Sequence, residues 1–326
     1  MYRIGVDLGG TNIAVGLVDE EYRLVAKDST PTGRDRVGEA IVDDIAMVCR
    51  RLCETNGVPI SEIAAVGIAT PGIATPGIAE NHSGIVRYSC NLNFRNFPLA
   101  DLLKERFPVP HVHIENDANA AAWGEAVAGA AKGTRNSLMI TLGTGVGGGI
   151  IIDGKVYSGF NCAGGELGHA VIVAGGRPCG CGRKGCWEAY SSATGLIKMT
   201  EEKLAECAEK GEETAMTALK EKYGKVNGRI AFDAMRLGDK AGKEVVDEYV
   251  YYLSIGLANM LNLFQPEVLS IGGGISNEGD FLLNLVEPLV RKEQYGGDLV
   301  KLTEIRIAEL KNDAGIIGAA TLGIEV

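Results

Sequence analysis

Apolar and polar positions alternate from the start of the chain: Ile4, Val6 and Leu8 share one face of a predicted strand. Residues 13–18 and 23–28 read as two more strands, with Asp19-Glu20 as a tight turn between them. The spacing turns helical over about 37–54 and returns to a strand over 64–69, which runs into a Pro/Gly-rich segment. A short helix after Pro98, a strand over 112–115 and an Ala-rich helix from near Asp117 follow. The pattern then restarts, with strands over 137–142 and 148–152 and Asp153-Gly154 as a hairpin turn. A Gly- and Cys-rich loop fills 158–187, and helical periodicity dominates 189–264, with a charged surface stretch around 201–225. A strand over 268–271 ends in three glycines, 305–308 reads as the last strand, and 314–322 closes the chain as a helix. The two halves predict two related α/β lobes. The smaller spans 1–118 and is completed by the C-terminal helix at about 312–326; the larger, 119–311, holds the Cys-rich loop. No solenoid period is present. IATPG occurs twice, at 68–72 and 73–77, and reads as an extended loop.

Composition narrows the partners. At 326 residues the chain is long enough for two cores. Lys and Arg number 32 against 42 Asp and Glu, a formal charge of −10. That balance argues against nucleic acid or an anionic membrane as partner. No apolar run reaches the roughly 18 residues of a bilayer span, and MYRIGVDLGG lacks the basic-then-apolar form of a secretory signal. A reducing, cytoplasmic location follows, so the eight cysteines are not read as a disulfide framework. Cys179, Cys181 and Cys186 cluster; most of Cys49, Cys53, Cys90, Cys162 and Cys207 read as small buried hydrophobes.

Three glycine-rich turns are candidates for phosphate chemistry. Asp7, Gly9, Gly10, Thr11 and Asn12 lie between two predicted strands, where backbone amides, a hydroxyl and an amide can reach a phosphate and Asp7 can hold a hydrated Mg²⁺. An ordinary glycine hairpin reads equally well. The second turn, 142–149, contains Thr144 and Gly145 and a formal G-x-G-x-x-G. A dinucleotide fingerprint needs a helix next, and here a strand follows, so that reading fails. Gly273 and Gly274 could offer a flat surface to adenosine, or simply turn a strand into a helix. Two phosphate loops of hairpin type, one opening each half, point to an α/β, two-lobed actin-like ATPase (sugar kinase/RNase H-like) fold with an interlobe cleft.

Asp117 stands where a strand gives way to a helix. Its carboxylate could take a proton from a sugar hydroxyl attacking a γ-phosphate, or Asp117 or Asn116 could cap the helix. His169 with Cys179, Cys181 and Cys186 supplies the four ligands of a closed, structural Zn²⁺ site. Such a site would fix the loop bearing Glu166 and Glu188, both candidates for gripping sugar hydroxyls.

Asp7–Asn12 (DLGGTN), 115–125 (ENDANAAAWGE), 142–149 (LGTGVGGG), 164–169 (GGELGH) and 179–188 (CGCGRKGCWE) together resemble the ROK family of repressors, ORFs and kinases, especially its bacterial glucokinases. The match runs over essentially the whole chain. The resemblance implies phosphorylation of glucose by ATP with Mg²⁺, Asp117 as the catalytic base, and Asn116, Glu166, His169 and Glu188 on the sugar, with Asn91 also on the sugar side. It gives His169 one ring nitrogen for zinc and the other for a sugar hydroxyl. A homodimer or dimer of dimers is the family habit. N-acetylmannosamine, fructose, allose or mannose as acceptor, and polyphosphate as donor, stay open. So does a sugar-sensing regulator without DNA binding; a DNA-binding repressor needs a helix-turn-helix ahead of a strand that already begins near Arg3. The family's single Pro-Gly loop appears twice, at Pro71-Gly72 and Pro76-Gly77. Which glycine faces the sugar is open.

Overall fold

The computed structural model describes residues 1–75, 84–89 and 91–324. Strands β1 (Tyr2–Leu8), β2 (Asn12–Val18) and β3 (Leu24–Pro31) form consecutive antiparallel hairpins. The first turn after β2 is held by Asp19, whose Oδ1 accepts from the N–H groups of Glu21 and Arg23. Helix α1 (Gly38–Thr55) leads to β4 (Ile63–Thr70), which lies parallel to β1. Three short strands follow, β5 (Ile73–Thr75), β6 (Ile85–Ser89) and β7 (Phe94–Phe97), forming a separate antiparallel sheet. Helix α2 (Leu99–Arg106), strand β8 (His111–Asn116) and helix α3 (Asp117–Ala128) complete this stretch. The first sheet is ordered β3-β2-β1-β4-β8.

The alternation seen in the sequence explains this sheet. Ile4, Val6, Leu8, Ile13, Val15 and Leu17 pack with Ile41, Val42 and Ile45 of α1 in one fully buried cluster. β4 lies between two parallel neighbours and is buried almost throughout, whereas β3 on the edge alternates half-buried and exposed.

Strands β9 (Ser137–Leu142), β10 (Val146–Ile152) and β11 (Lys155–Val156) open the second half. Asp153 and Gly154 both take the left-handed conformation their turn requires. After the Cys-rich loop come α4 (Glu188–Ser191), α5 (Ala193–Lys210), α6 (Ala215–Tyr223), α7 (Ile230–Arg236) and α8 (Lys240–Phe264). Strand β12 (Val268–Gly272), helix α9 (Asp280–Glu293), strand β13 (Glu304–Ile307) and helix α10 (Ala314–Ala320) end the chain. The second sheet is ordered β11-β10-β9-β12-β13. Among the described residues no helix is long and apolar enough to cross a membrane.

The chain divides into two compact units: Met1–Met139, Gly149–Gly165 and Ala308–Val326 form one, Ile140–Gly148 and Glu166–Ile307 the other. Within the first, α10 lies against β4 and α3 so closely that a Cβ on Gly67 would strike the Ala319 carbonyl and one on Gly318 the Ala120 carbonyl. This packing groups α3, read from the sequence as part of the larger lobe, with the first unit. Within the second, the apolar face of α8 is core: Val246, Tyr249, Leu253 and Leu257 are buried within the chain.

Two sequence readings change, that of the IATPG repeat and that of the stretch filled by α9. The IATPG repeat is not an extended loop over its described part: 68–70 belong to β4 and 73–75 pair with β6 as β5. The second copy's Pro76-Gly77 lies outside the described residues, as does Cys90. The helical tract after 189 is broken into separate helices, with Gly211 and Gly224 as left-handed C-caps. Helix α9 fills a stretch where the sequence predicts no element. Of the scattered cysteines, Cys49, Cys53 and Cys207 are buried and Cys162 is half-buried.

Candidate active site

In the first unit, Asp7 is the penultimate residue of β1, and the chain reverses through 9–12, with Gly9 N–H donating to the Asn12 carbonyl at 2.9 Å. The Thr32 hydroxyl donates to the Gly9 carbonyl at 2.6 Å and fixes the turn, leaving Thr11 and Asn12 exposed. A Cβ on Gly10 would meet the Asn91 Cβ at 3.6 Å, so Asn91 sits beside this hairpin. The parallel strands β1, β4 and β8 bring Asp7, Ala69 and Glu115 into register, which places the β8–α3 junction at the same sheet edge.

At that junction the cap is Asn116. Its Oδ1 accepts from Ala118 N–H at 2.9 Å and Asn119 N–H at 3.2 Å, and its Nδ2 donates to the Gly72 carbonyl at 3.1 Å. Gly72 belongs to the first Pro-Gly copy and holds a left-handed conformation beside Tyr88 and Ser89. Asp117 therefore occupies the first helical position with the cap already filled. It keeps an exposed surface, yet surrounding protein removes enough water to raise its carboxyl, against the opposing pull of the Ala118 N–H. Burial, with the nearby Asp117 charge as a second cause, pushes Asp7 up from 3.8 to about 6. Among the described residues no Lys or Arg pairs with either carboxylate. Two acids left without a protein cation suit a hard divalent ion with oxygen ligands.

Two further acids of the 115–125 motif had no role in the sequence reading. Glu115, 4% exposed, accepts from Asn116 N–H at 2.9 Å and Asn119 Nδ2 at 3.0 Å. Glu125, fully buried, accepts from the backbone N–H groups of Ala130, Glu309 and Leu310 at 2.7, 3.1 and 2.8 Å. An acid in an otherwise apolar, Ala-rich helix was the available signal for such a knot.

In the second unit, Thr144 and Gly145 lie in the turn between β9 and β10. Gly143 N–H donates to the Gly145 carbonyl at 3.0 Å, and Val146 N–H donates to Glu188 Oε2 at 3.1 Å. A Cβ on Gly145 would displace that carboxylate from its place against the turn. Gly273, left-handed at the end of β12, packs on the Leu142 backbone, which brings one of the two candidate adenosine glycines to this turn; Gly274 follows it as the start of a short 3₁₀ turn. Glu166 precedes the 3₁₀ turn 167–169, its side chain exposed and its carbonyl accepting His169 N–H at 3.0 Å.

The Cys-rich loop is folded by two isolated bridges, Val171 with Cys186 and Pro178 with Lys184. They bring His169, Cys179, Cys181 and Cys186 together, their ligand atoms all within 4.8 Å of one another. Cys179 Sγ is 3.7 Å from His169 Nδ1, and Cys181 Sγ is 3.7 Å from Cys186 Sγ. Those separations match the edges, about 3.6–3.8 Å, of a tetrahedron with zinc–ligand bonds near 2.0–2.3 Å. Burial pushes the Cys179 thiol up to about 12, while the Arg183 N–H holds Cys181 below the usual thiol range. Metal binding to such thiols must release protons. His169 turns Nδ1 to the sulfurs.

A sequence profile of the ROK family matches residues 3–326. The glucokinase of Halalkalibacterium halodurans is 39% identical over 321 residues, covering 98% of this chain and 94% of its own length. The glucokinase of Streptomyces coelicolor is 37% identical over 323 residues, covering 99% and 97%. The crystal structure of a ROK family glucokinase from Streptomyces griseus in complex with glucose and AMPPNP gives a TM-score of 0.79 at 34% identity, over 99% of each chain. These likenesses give the fold as the mixed α/β fold of the actin-like sugar kinases.

Proposed function

The chain belongs to the ROK family, and we infer that it is an ATP-dependent hexose kinase whose acceptor is glucose and whose product is glucose 6-phosphate. The observation that supports this best is the division of labour at the start of α3. Asn116 fills the helix cap, so the Asp117 carboxylate, although its Oδ1 also accepts Ala118 N–H at 2.9 Å, is not needed as the cap. It is left to orient the 6-hydroxyl and accept its proton as that oxygen meets the γ-phosphorus. A raised carboxyl suits this task, because a stronger base takes the proton more readily.

Asn91, Asn116, Glu166, His169 and Glu188 are assigned to the other sugar hydroxyls. The turns with Gly9, Gly10, Thr11 and Asn12 and with Thr144 and Gly145 present amides and hydroxyls to the ATP phosphates, and Gly273 and Gly274 face the adenosine. Asp7 would hold Mg²⁺, which neutralises phosphate charge when bound. His169, Cys179, Cys181 and Cys186 would hold Zn²⁺ as a closed structural site, with His169 Nε2 left for a sugar hydroxyl. Reduced thiols and ATP both suit the cytoplasm, and a homodimer follows the family habit.

The test is ADP release against a panel of hexoses and N-acetylhexosamines. Glucose is expected to give the highest kcat/KM, at least tenfold above N-acetylmannosamine, fructose and allose. The absence of any glucose-dependent ADP release sinks the assignment.

A further inference from the structure

The segment that follows the last candidate metal ligand makes three hydrogen bonds to the turn between β9 and β10. Cys186 lies in the cluster. Trp187 next to it is fully buried, its indole packed so tightly on α8 that a Cβ on Gly256 would overlap the ring. Glu188 Oε2 then accepts Val146 N–H at 3.1 Å. Ala193 N–H donates to the Gly143 carbonyl at 2.8 Å, and the Thr194 hydroxyl donates to the Thr144 carbonyl at 2.7 Å. The other Glu188 oxygen, Oε1, is 3.6 Å from Cys179 Sγ, a second member of the cluster. One carboxylate thus touches both the metal loop and the glycine turn.

We propose that Glu188 is a positioning residue for the nucleotide, bracing the phosphate loop 142–149 from the metal loop before any sugar binds. This rests on reading 142–149 as a nucleotide loop. Glycines give that turn little stiffness of its own, and an unbraced loop must lose its freedom when ATP arrives. A hydrogen bond from a backbone N–H to a carboxylate contributes about 1.5–3 kcal/mol, enough to favour one loop geometry by roughly tenfold or more. The brace is anchored by Trp187 and by the metal ligand Cys186. Metal occupancy is thereby linked to nucleotide affinity, although no metal ligand lies in the phosphate turn. A sugar contact made by Glu188 is a separate role, and it leaves nucleotide binding without sugar unchanged.

The experiment uses the full, zinc-loaded chain without sugar. Mg²⁺–AMPPNP affinity is measured by calorimetry, and amide exchange over 142–149 by mass spectrometry. Glu188→Ala is expected to weaken AMPPNP binding roughly tenfold and to speed exchange across that peptide. Glu188→Gln keeps an oxygen for Val146 N–H and is expected to stay within about threefold of wild type. Chelating the metal from the wild type is expected to raise exchange over 142–149 as well. Wild-type affinity and exchange in Glu188→Ala overturn the brace, and unchanged exchange after chelation overturns its link to the metal. Should Glu188→Ala fail to fold, Thr194→Val carries the test, with faster exchange expected and unchanged exchange overturning the brace. A wild type that binds no nucleotide removes the nucleotide reading instead, while exchange still reports the brace.

Discussion

Helix α3 has a carboxylate near each end, and the two have opposite surroundings. Glu125 is fully buried and takes three backbone N–H groups, two of them from residues 309–310 far along the chain. Asp117 keeps an exposed surface, has its helix cap supplied by Asn116, and shares its corner with a second raised acid, Asp7. Chemistry alike, the two acids differ in what they serve. Glu125 holds the fold together; Asp117 is held by the fold in a state it would not choose. The carboxylate proposed as functional differs from the structural one in its exposure and in its fewer backbone donors.

Substitutions that separate activity from stability break or sharpen this contrast. The largest effect is expected for Asp117→Asn, a loss of about 10³-fold or more in kcat with unfolding midpoints unchanged or slightly raised. A variant retaining wild-type kcat removes Asp117 as base. Glu125→Ala is expected to cost roughly 3–5 kcal/mol, because three buried N–H groups lose their acceptor. Denaturant unfolding measures it, and a loss below about 1 kcal/mol would show that water or a neighbour replaces the carboxylate. Cys181→Ser should come next, with metal content falling from about one per chain and the melting temperature dropping by about 5 °C or more. A metal-free protein of normal stability and activity refutes the structural site.

The smallest effect has the opposite sign. Burial, and after it the Asp117 charge, pushes the Asp7 carboxyl up from 3.8 to about 6. The native state therefore binds more protons between those values, so stability falls as pH rises through that window and the deficit is complete above it. Asp7→Asn removes the charge and is expected to stabilise the nucleotide-free protein by about 1–3 kcal/mol at pH 8, with the gain fading towards pH 4. Thermal unfolding at several pH values checks this. Destabilisation at pH 8 shows that the Asp7 charge is compensated after all.

Much of this was legible in the sequence where local pattern decides structure. The strands β1–β3 and the turn at Asp153-Gly154 follow from alternation and turn chemistry. The sheet β5-β6-β7 was not, because its strands are three to five residues long, too short for a period of two to stand out. Helix α9 hides behind an internal Pro288 that reads as a breaker. The grouping of His169 with Cys179, Cys181 and Cys186 was legible from residue type and spacing. The sequence could not say which of Asn116 and Asp117 is the cap, because both side chains suit it. Nor could it place Glu188 against Val146, 42 positions away.

The most direct measurement is glucose binding by Asp117→Asn, titrated calorimetrically in the same sample whose turnover is assayed. Glucose affinity within about threefold of wild type, alongside a kcat lowered about 10³-fold, is expected of a residue that moves a proton. Loss of glucose binding with little change in kcat at saturating sugar would contradict it, and would make Asp117 a sugar contact only.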